Sequence, residues 1–322
     1  MRHESSATSR DGRQTFRERL FRPADALPLA WFRIAYGCTL LYWARHYLAS
    51  NVFEQYYVLP RYHFPYYGFE WVQSLSAEGM SRLFVAIQVL AVLTILGFCY
   101  RLSSFLLGLA FCYVFLVDRA FYQNHYYLLS LIGLLLPLLP CHRTWSIDAL
   151  MRPSKASQSV GAWSLFVLRF AVAVPYIYGG IAKINSDWLA GQPMRMVLSG
   201  RDWHPIIGPW ATEEWLVTAF VWGGLLFDLL IVPALIWRRT RTVALIAALV
   251  FHLMNATVFQ IGVFPWFMIA ATPILLPTSW FRRIVRIPFP QITAAYQLPS
   301  QSAQRIICGG LTFFVTFQLL WP

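Results

Sequence analysis

Nine apolar runs decide what this chain can fold into. They lie at about 28–47, 82–100, 102–118, 125–140, 162–182, 215–237, 242–258, 261–277 and 306–321, with polar or arginine-bearing stretches between them. A helix needs roughly 20 apolar residues to cross the hydrocarbon core, where each backbone N–H and C=O must be bonded internally. Several runs are shorter, so the count stands at eight or nine, with boundaries left open near 118–125 and 258–262. The predicted fold class is all-α: a polytopic integral membrane helical bundle of eight or nine transmembrane helices. With 58% hydrophobic and 12% charged residues, the chain has too little polar surface to cover these runs in water.

The net charge of +12 is dispersed between the runs rather than gathered on one face. That pattern points to orientation in a lipid bilayer and away from nucleic acid. With the N-terminus in the cytoplasm, 17 of the 26 basic residues fall inside and six outside, while Arg33, Arg45 and Arg169 lie within or at the ends of runs. The asymmetry predicts nine crossings, with residues 1–24 and the 278–304 loop inside. Residues 183–212 and the C-terminal Pro322 are then outside. Residues 1–24 read as a basic cytoplasmic tail with no signal peptide, polar and disordered over 1–14. Within it, 13–22 (RQTFRERLFR) fits equally a short helix on the inner leaflet or a plain basic tail. Five cysteines without a CxxC suggest buried apolar packing rather than a disulfide framework.

Ionisable and amide side chains inside the runs are costly and tend to face a bundle interior or cavity. Here they are Arg33, Arg169, Asp228, His252 and Asn255. His252 and Asn255 are three apart and share a helix face. Asp228 could form a buried ion pair with Arg33 or Arg169. At the outward end of the fourth run stand Asn124 and His125, and the long loop after the first run carries His63 among Tyr and Phe. Only two lysines occur, Lys155 and Lys183. Lys183 closes an apolar run and opens IAKINSDWLAG. A lysine desolvated there can release its proton, which arginine does not do. It can also simply snorkel to the headgroups. Asp187, four residues on, could oppose proton release by pairing with the charged form.

Several catalytic signatures are missing: HExxH, a histidine box, GxSxG and a glycine-rich phosphate loop. The seven histidines are scattered, so no metal is expected. What remains is base chemistry by Lys183 with neighbouring His and Asn donors.

Six motifs occur in order: FRIAYG, RYHFPYYGFEW, GFCYRLSSFLLGLAFCYVFLVDRAFYQNHYYL, WSIDAL, IAKINSDWLAG and FHLMNATVFQIGVFPWFM. Together they resemble the HTTM domain, the membrane domain of vitamin K-dependent gamma-carboxylases and their bacterial relatives. The resemblance runs from about residue 25 to the end, making 25–322 the expected HTTM-like transmembrane domain.

The resemblance implies a chemistry. In the carboxylases a lysine deprotonates reduced vitamin K, and reaction with O2 yields a strong base and ultimately the quinone epoxide. That base removes a γ-proton from a peptide glutamate, and the carbanion captures CO2. The family's base is the second lysine of a pair before an Asp-Trp, which falls on Lys183, with Ala182 in place of the first lysine. The family's Asn-Asn-His falls on Gln123, Asn124 and His125, and His125 would stabilise a developing anion. Lys183 and His125 are thus the catalytic candidates. Asn124, Asp187, Trp188, His252, Asn255 and Arg169 are candidates for substrate or cofactor binding. The implied cofactor is reduced vitamin K or menaquinol, with O2 and CO2 as co-substrates, in a bacterial inner membrane. Eukaryotic carboxylases continue into a large extracytoplasmic domain, whereas this chain stops at Pro322. Implied partners are the bilayer, the quinol, and a secreted peptide or separate soluble protein. The rival expectation is a non-catalytic membrane subunit assisting maturation or export of a secreted peptide.

Overall fold

The structure, a computed structural model, describes residues 15–284 and 296–320. The tail at 1–14, Arg286 and Pro322, all used in the topology reading, lie outside the described residues. In chain order the helices are α1 (Phe16–Phe21), α2 (Leu27–Ala49), α3 (Val52–Tyr57), α4 (Ala77–Leu96), α5 (Tyr100–Val117), α6 (Asn124–Leu135), α7 (Ile147–Met151) and α8 (Ala162–Ala182). They continue with α9 (Ser186–Leu189), α10 (Gln192–Leu198), α11 (Glu214–Ile236), α12 (Arg241–Met254), α13 (Phe264–Ala271), α14 (Thr278–Ile284) and α15 (Gln301–Leu320). Each apolar run falls mainly on one helical unit, some of them short. A 3-10 turn carries α6 on to Leu138, a π turn carries α12 to Phe259, and a 3-10 turn carries α13 to Leu275.

Six of these units are long and apolar enough to cross a membrane: α4, α5, α8, α11, α12 with its π turn, and α15. The units starting at Asn124 and Phe264 are apolar but shorter. The two open boundaries resolve as turns. Residues 119–121 form a 3-10 turn capped by Asp118, and Gln260 and Gly262 take positive φ after the π turn.

One end of the bundle is tied by a two-stranded antiparallel ribbon, β1 (Pro23–Asp25) on β2 (Ser159–Gly161). It sets the starts of α2 and α8 side by side, with Ala26 N–H bonding Gln158 O at 2.8 Å and Ala162 N–H bonding Arg22 O at 3.0 Å. Just before it, α1 (Phe16–Phe21) is capped at its start by a Thr15–Glu18 capping box. Leu20 and Phe21 are buried, and Phe16 meets Phe166 edge-on at 6.1 Å, so this helix docks on α8. At the same end, Arg282 of α14 pairs with Asp25.

Arg33 explains how a charge survives in α2. It is fully buried and donates to the carbonyls of Cys141 (2.9 Å), Ile95 (3.2 Å) and Trp145. It thereby bonds the spent end of α4 and the loop before α7, groups a helix terminus leaves without partners. Gly97, at φ +64°, makes room for it: a Cβ there would lie 2.6 Å from Arg33 Nη1. Arg169 acts alike, donating through Nε to Ile274 O and through Nη2 to Leu276 O, both at 2.8 Å. The ion pair expected between Asp228 and one of these arginines is therefore not formed. Both guanidiniums are taken up by main-chain carbonyls.

At the opposite end, the loop after α3 is pinned through Asp118, which meets His63 Nδ1 at 3.0 Å and accepts Phe64 N–H at 3.2 Å. Tyr67 and Trp71 on that loop are exposed. All five cysteines are free. Cys141 is buried, but Cys38 on α2 and Cys99 in the turn before α5 are exposed, against the expectation of uniform burial. A Cys side chain facing outward on an apolar helix, as Cys38 does, needs no burial.

Candidate active site

Lys183 ends α8 as its C-cap residue, and its ammonium turns back along the helix to donate to Gly179 O at 3.2 Å. It also meets the carboxylate of Asp228, on α11, in a short hydrogen-bonded ion pair. The two helices approach closely because α8 offers Gly179 and Gly180 at that level. A Cβ on Gly179 would sit 2.9 Å from Asp228 Oδ2, and one on Gly180 2.6 Å from Leu229 Cδ2. The indole of Trp188 lies 5.0 Å from Lys183 Nζ, a cation–π distance, and its Nε1 donates to Val221 O at 3.2 Å.

Asp187 does not meet Lys183. The helix stops between them, so the spacing of four loses its helical meaning, and Asp187 opens the separate turn α9, where it is exposed. The carboxylate that matters is Asp228, 45 residues away in sequence.

A cavity of about 520 Å³ opens beside this pair. It brings together Lys183, Asp228, Asn124, His125, His252 and Asn255, from four helices and the π turn. Tyr127, Val174, Pro175, Phe251, Phe264 and Met268 make most of its wall apolar. Asp187, Trp188 and Arg169 do not line it, although Trp188 backs the lysine.

Three polar side-chain atoms on this wall are buried without a hydrogen-bond partner: His125 Nε2, His252 Nδ1 and Gln318 Oε1. His125 is held by its ring, stacked on Phe264 at 5.2 Å and edge-on to Tyr126 at 4.7 Å. His252 is held by a chain of hydroxyls. Thr272 Oγ1 donates to Met268 O at 2.7 Å, so its single proton is spent. Its 3.0 Å contact with Tyr176 must then be a bond from the Tyr176 hydroxyl, which leaves that oxygen to accept from His252 Nε2–H at 2.8 Å. Neutral His252 accordingly presents an acceptor lone pair at Nδ1.

Gln318 was not singled out in the sequence. It is 1% exposed and belongs to α15, whose few buried residues, Gln304, Leu311 and Gln318, recur every seven positions. A helix that buries glutamines while exposing Ile306 and Phe313 shows its polar seam to the protein, the membrane pattern. Tyr178 on α8 donates to Leu319 O and fixes this end of α15 beside the cavity. Among the described residues no three His, Cys, Asp or Glu side chains form a cluster able to hold a metal.

The model of the HTTM domain matches residues 21–280. This chain belongs to the HTTM family. No solved structure matches it. The matched residues of this HTTM protein include every cavity-lining group except Gln318, so α15 adds a wall from outside the matched segment.

Proposed function

We propose that this HTTM protein is a quinol-dependent membrane enzyme that carboxylates a peptide or small substrate at its outer face, with epoxidation of the quinol. The observation that carries the reading is the convergence of Lys183, paired with Asp228, and of His125 and His252 on one apolar cavity. A ring with two oxygens and an apolar tail suits a wall that is mostly hydrocarbon and carries three unpartnered polar atoms. His125, Gln318, His252 and Lys183 would hold the head group, and Phe251, Phe264 and Met268 would pack on the ring. When bound, reduced vitamin K or menaquinol supplies the reducing equivalents that convert O2 into the strong base used on the substrate.

Lys183 has the proton-transfer role. In an apolar surround an ammonium–carboxylate pair and the neutral amine–carboxylic acid pair lie close in energy, because both charges vanish together. Passing one proton to Asp228 frees the Lys183 amine to accept another from a hydroxyl in the cavity. Gly179 O, bonded to the same nitrogen, keeps its lone pair aimed. His125 Nε2, as the N–H tautomer, donates toward oxygen whose charge grows as that proton leaves.

The test is quinol-dependent O2 uptake and epoxide formation by purified protein in lipid with a candidate peptide present, with mass spectrometry for carboxylated glutamate. Lys183→Arg is expected to insert normally and lose turnover, since guanidinium keeps its proton. Turnover retained in that variant sinks the base assignment. Inactivity of the unaltered protein with any quinol or partner moves the reading to a helper subunit for peptide maturation or export.

A further inference from the structure

The ribbon end of the bundle carries a second cleft, of about 480 Å³, at the end of α8 opposite Lys183 and unused by the proposed reaction. It is lined by Arg101, at the start of α5, and by Arg143, whose Nη1 donates to Lys155 O at 2.5 Å, together with Ser154 and Ser159. Trp163 and Tyr296 also line it, and Leu138, Val160 and Ile307 supply an apolar side. No Asp or Glu side chain is among the described residues that line it. Leu138 is 68% exposed, so the apolar side runs out onto the surface of the bundle. The Tyr296 hydroxyl is buried with no partner, a donor left over in a cationic cleft.

His142, in the loop beside the cleft, is pushed down to about 4, first by burial and then by Arg101 and Arg143. Asp148, near but not lining the cleft, caps the start of α5: its two oxygens accept the N–H groups of Cys99 and Tyr100, both at 2.9 Å.

We propose that this cleft binds the headgroup of an anionic phospholipid, with the phosphate between Arg101 and Arg143 and an acyl chain along Leu138 and Ile307. Two guanidiniums match phosphate oxygens in charge and geometry. Indole and phenol rings suit the depth at which headgroup meets chain, and an apolar exit favours a lipid over a soluble phosphate. The site is separate from the quinol reading and stands whether or not that reading holds.

The experiment uses the full chain in detergent, with phosphatidylglycerol, phosphatidylcholine or inorganic phosphate added. Native mass spectrometry reads lipid retention, and the unfolding midpoint reads stabilisation. Phosphatidylglycerol is expected to be retained at least tenfold better than phosphatidylcholine and to raise the midpoint. Arg101→Glu, a change at an exposed side chain, is expected to abolish that preference. Arg152→Glu, equally exposed but outside the cleft, is expected to keep it. Equal retention of the two lipids by the unaltered protein overturns the proposal. So does a preference that survives Arg101→Glu or falls equally in both variants, which would be bulk electrostatics. Inorganic phosphate stabilising as well as phosphatidylglycerol would replace the lipid with a soluble anion.

Discussion

At the scale of single residues, Lys183 was conspicuous in the sequence because lysine is so scarce, and its neighbours and the family resemblance reinforced the choice. Its partner was not conspicuous. Asp228 sits in an ordinary apolar run, and nothing in one sequence says that α8 and α11 are neighbours; the Gly179–Gly180 pair that lets them touch reads as plain flexibility until the contact is seen. Of the motif's Asp-Trp, Trp188 backs the lysine, while Asp187 is exposed in the separate turn α9. The pair has a testable energetic signature. The Lys183 side chain keeps 19% exposure and that of Asp228 keeps 8%, so removing one partner strands a charge that water only partly reaches. Asp228→Asn is expected to cost about 1–3 kcal/mol of stability, somewhat below the loss at a fully enclosed pair. Lys183→Met combined with Asp228→Leu should cost less than either charge-stranding change alone. Thermal or chaotrope unfolding in a lipid-like detergent measures the cycle, and strictly additive losses would show that the two groups do not interact.

At the scale of elements, the apolar runs predicted the long helices well because hydrocarbon imposes its own length and leaves no choice but a helix. Helix ends were harder. Arg33 and Arg169 looked like partners for a carboxylate, yet each bonds carbonyls at the end of another helix, a use that depends on three-dimensional neighbours. The loop joining α6 to α7 carries a pH prediction of its own. His142 stacks on Tyr100 at 5.4 Å and its Nδ1 is buried without a partner, so the folded loop favours the neutral ring, down to about 4. In the unfolded chain the ring takes its proton near 6.5. Between those values only the unfolded state gains the proton, so stability is lost as pH falls from about 6.5 to about 4. With one pH unit worth about 1.4 kcal/mol, the loss is at most about 3 kcal/mol. His142→Phe, which keeps the stack and cannot be protonated, should flatten this acid limb of unfolding midpoint against pH. An unchanged limb would place the titration elsewhere.

At the scale of the whole molecule, the two ends of the bundle differ in chemistry. The ribbon end gathers Arg22, Arg101, Arg143 and Arg282, whereas the other end holds Lys183 with the aromatic loop after α3. The helix order places 183–212 at the end opposite the ribbon, since α8 starts on the ribbon and runs away from it. The basic asymmetry of the sequence then predicts which end is in the cytoplasm: the ribbon end, with the Lys183 cavity toward the outside. Labelling decides it. The five native cysteines are free, and Cys38 and Cys99 are exposed, so they are first replaced by serine or alanine. Single cysteines are then placed at Ser154, beside the ribbon, and at Ser199, at the end of α10. In intact cells a membrane-impermeant thiol reagent is expected to modify the cysteine at 199 and to reach the one at 154 only after lysis. The opposite pattern would turn the molecule over, put the candidate base on the cytoplasmic side, and exclude a substrate presented from outside.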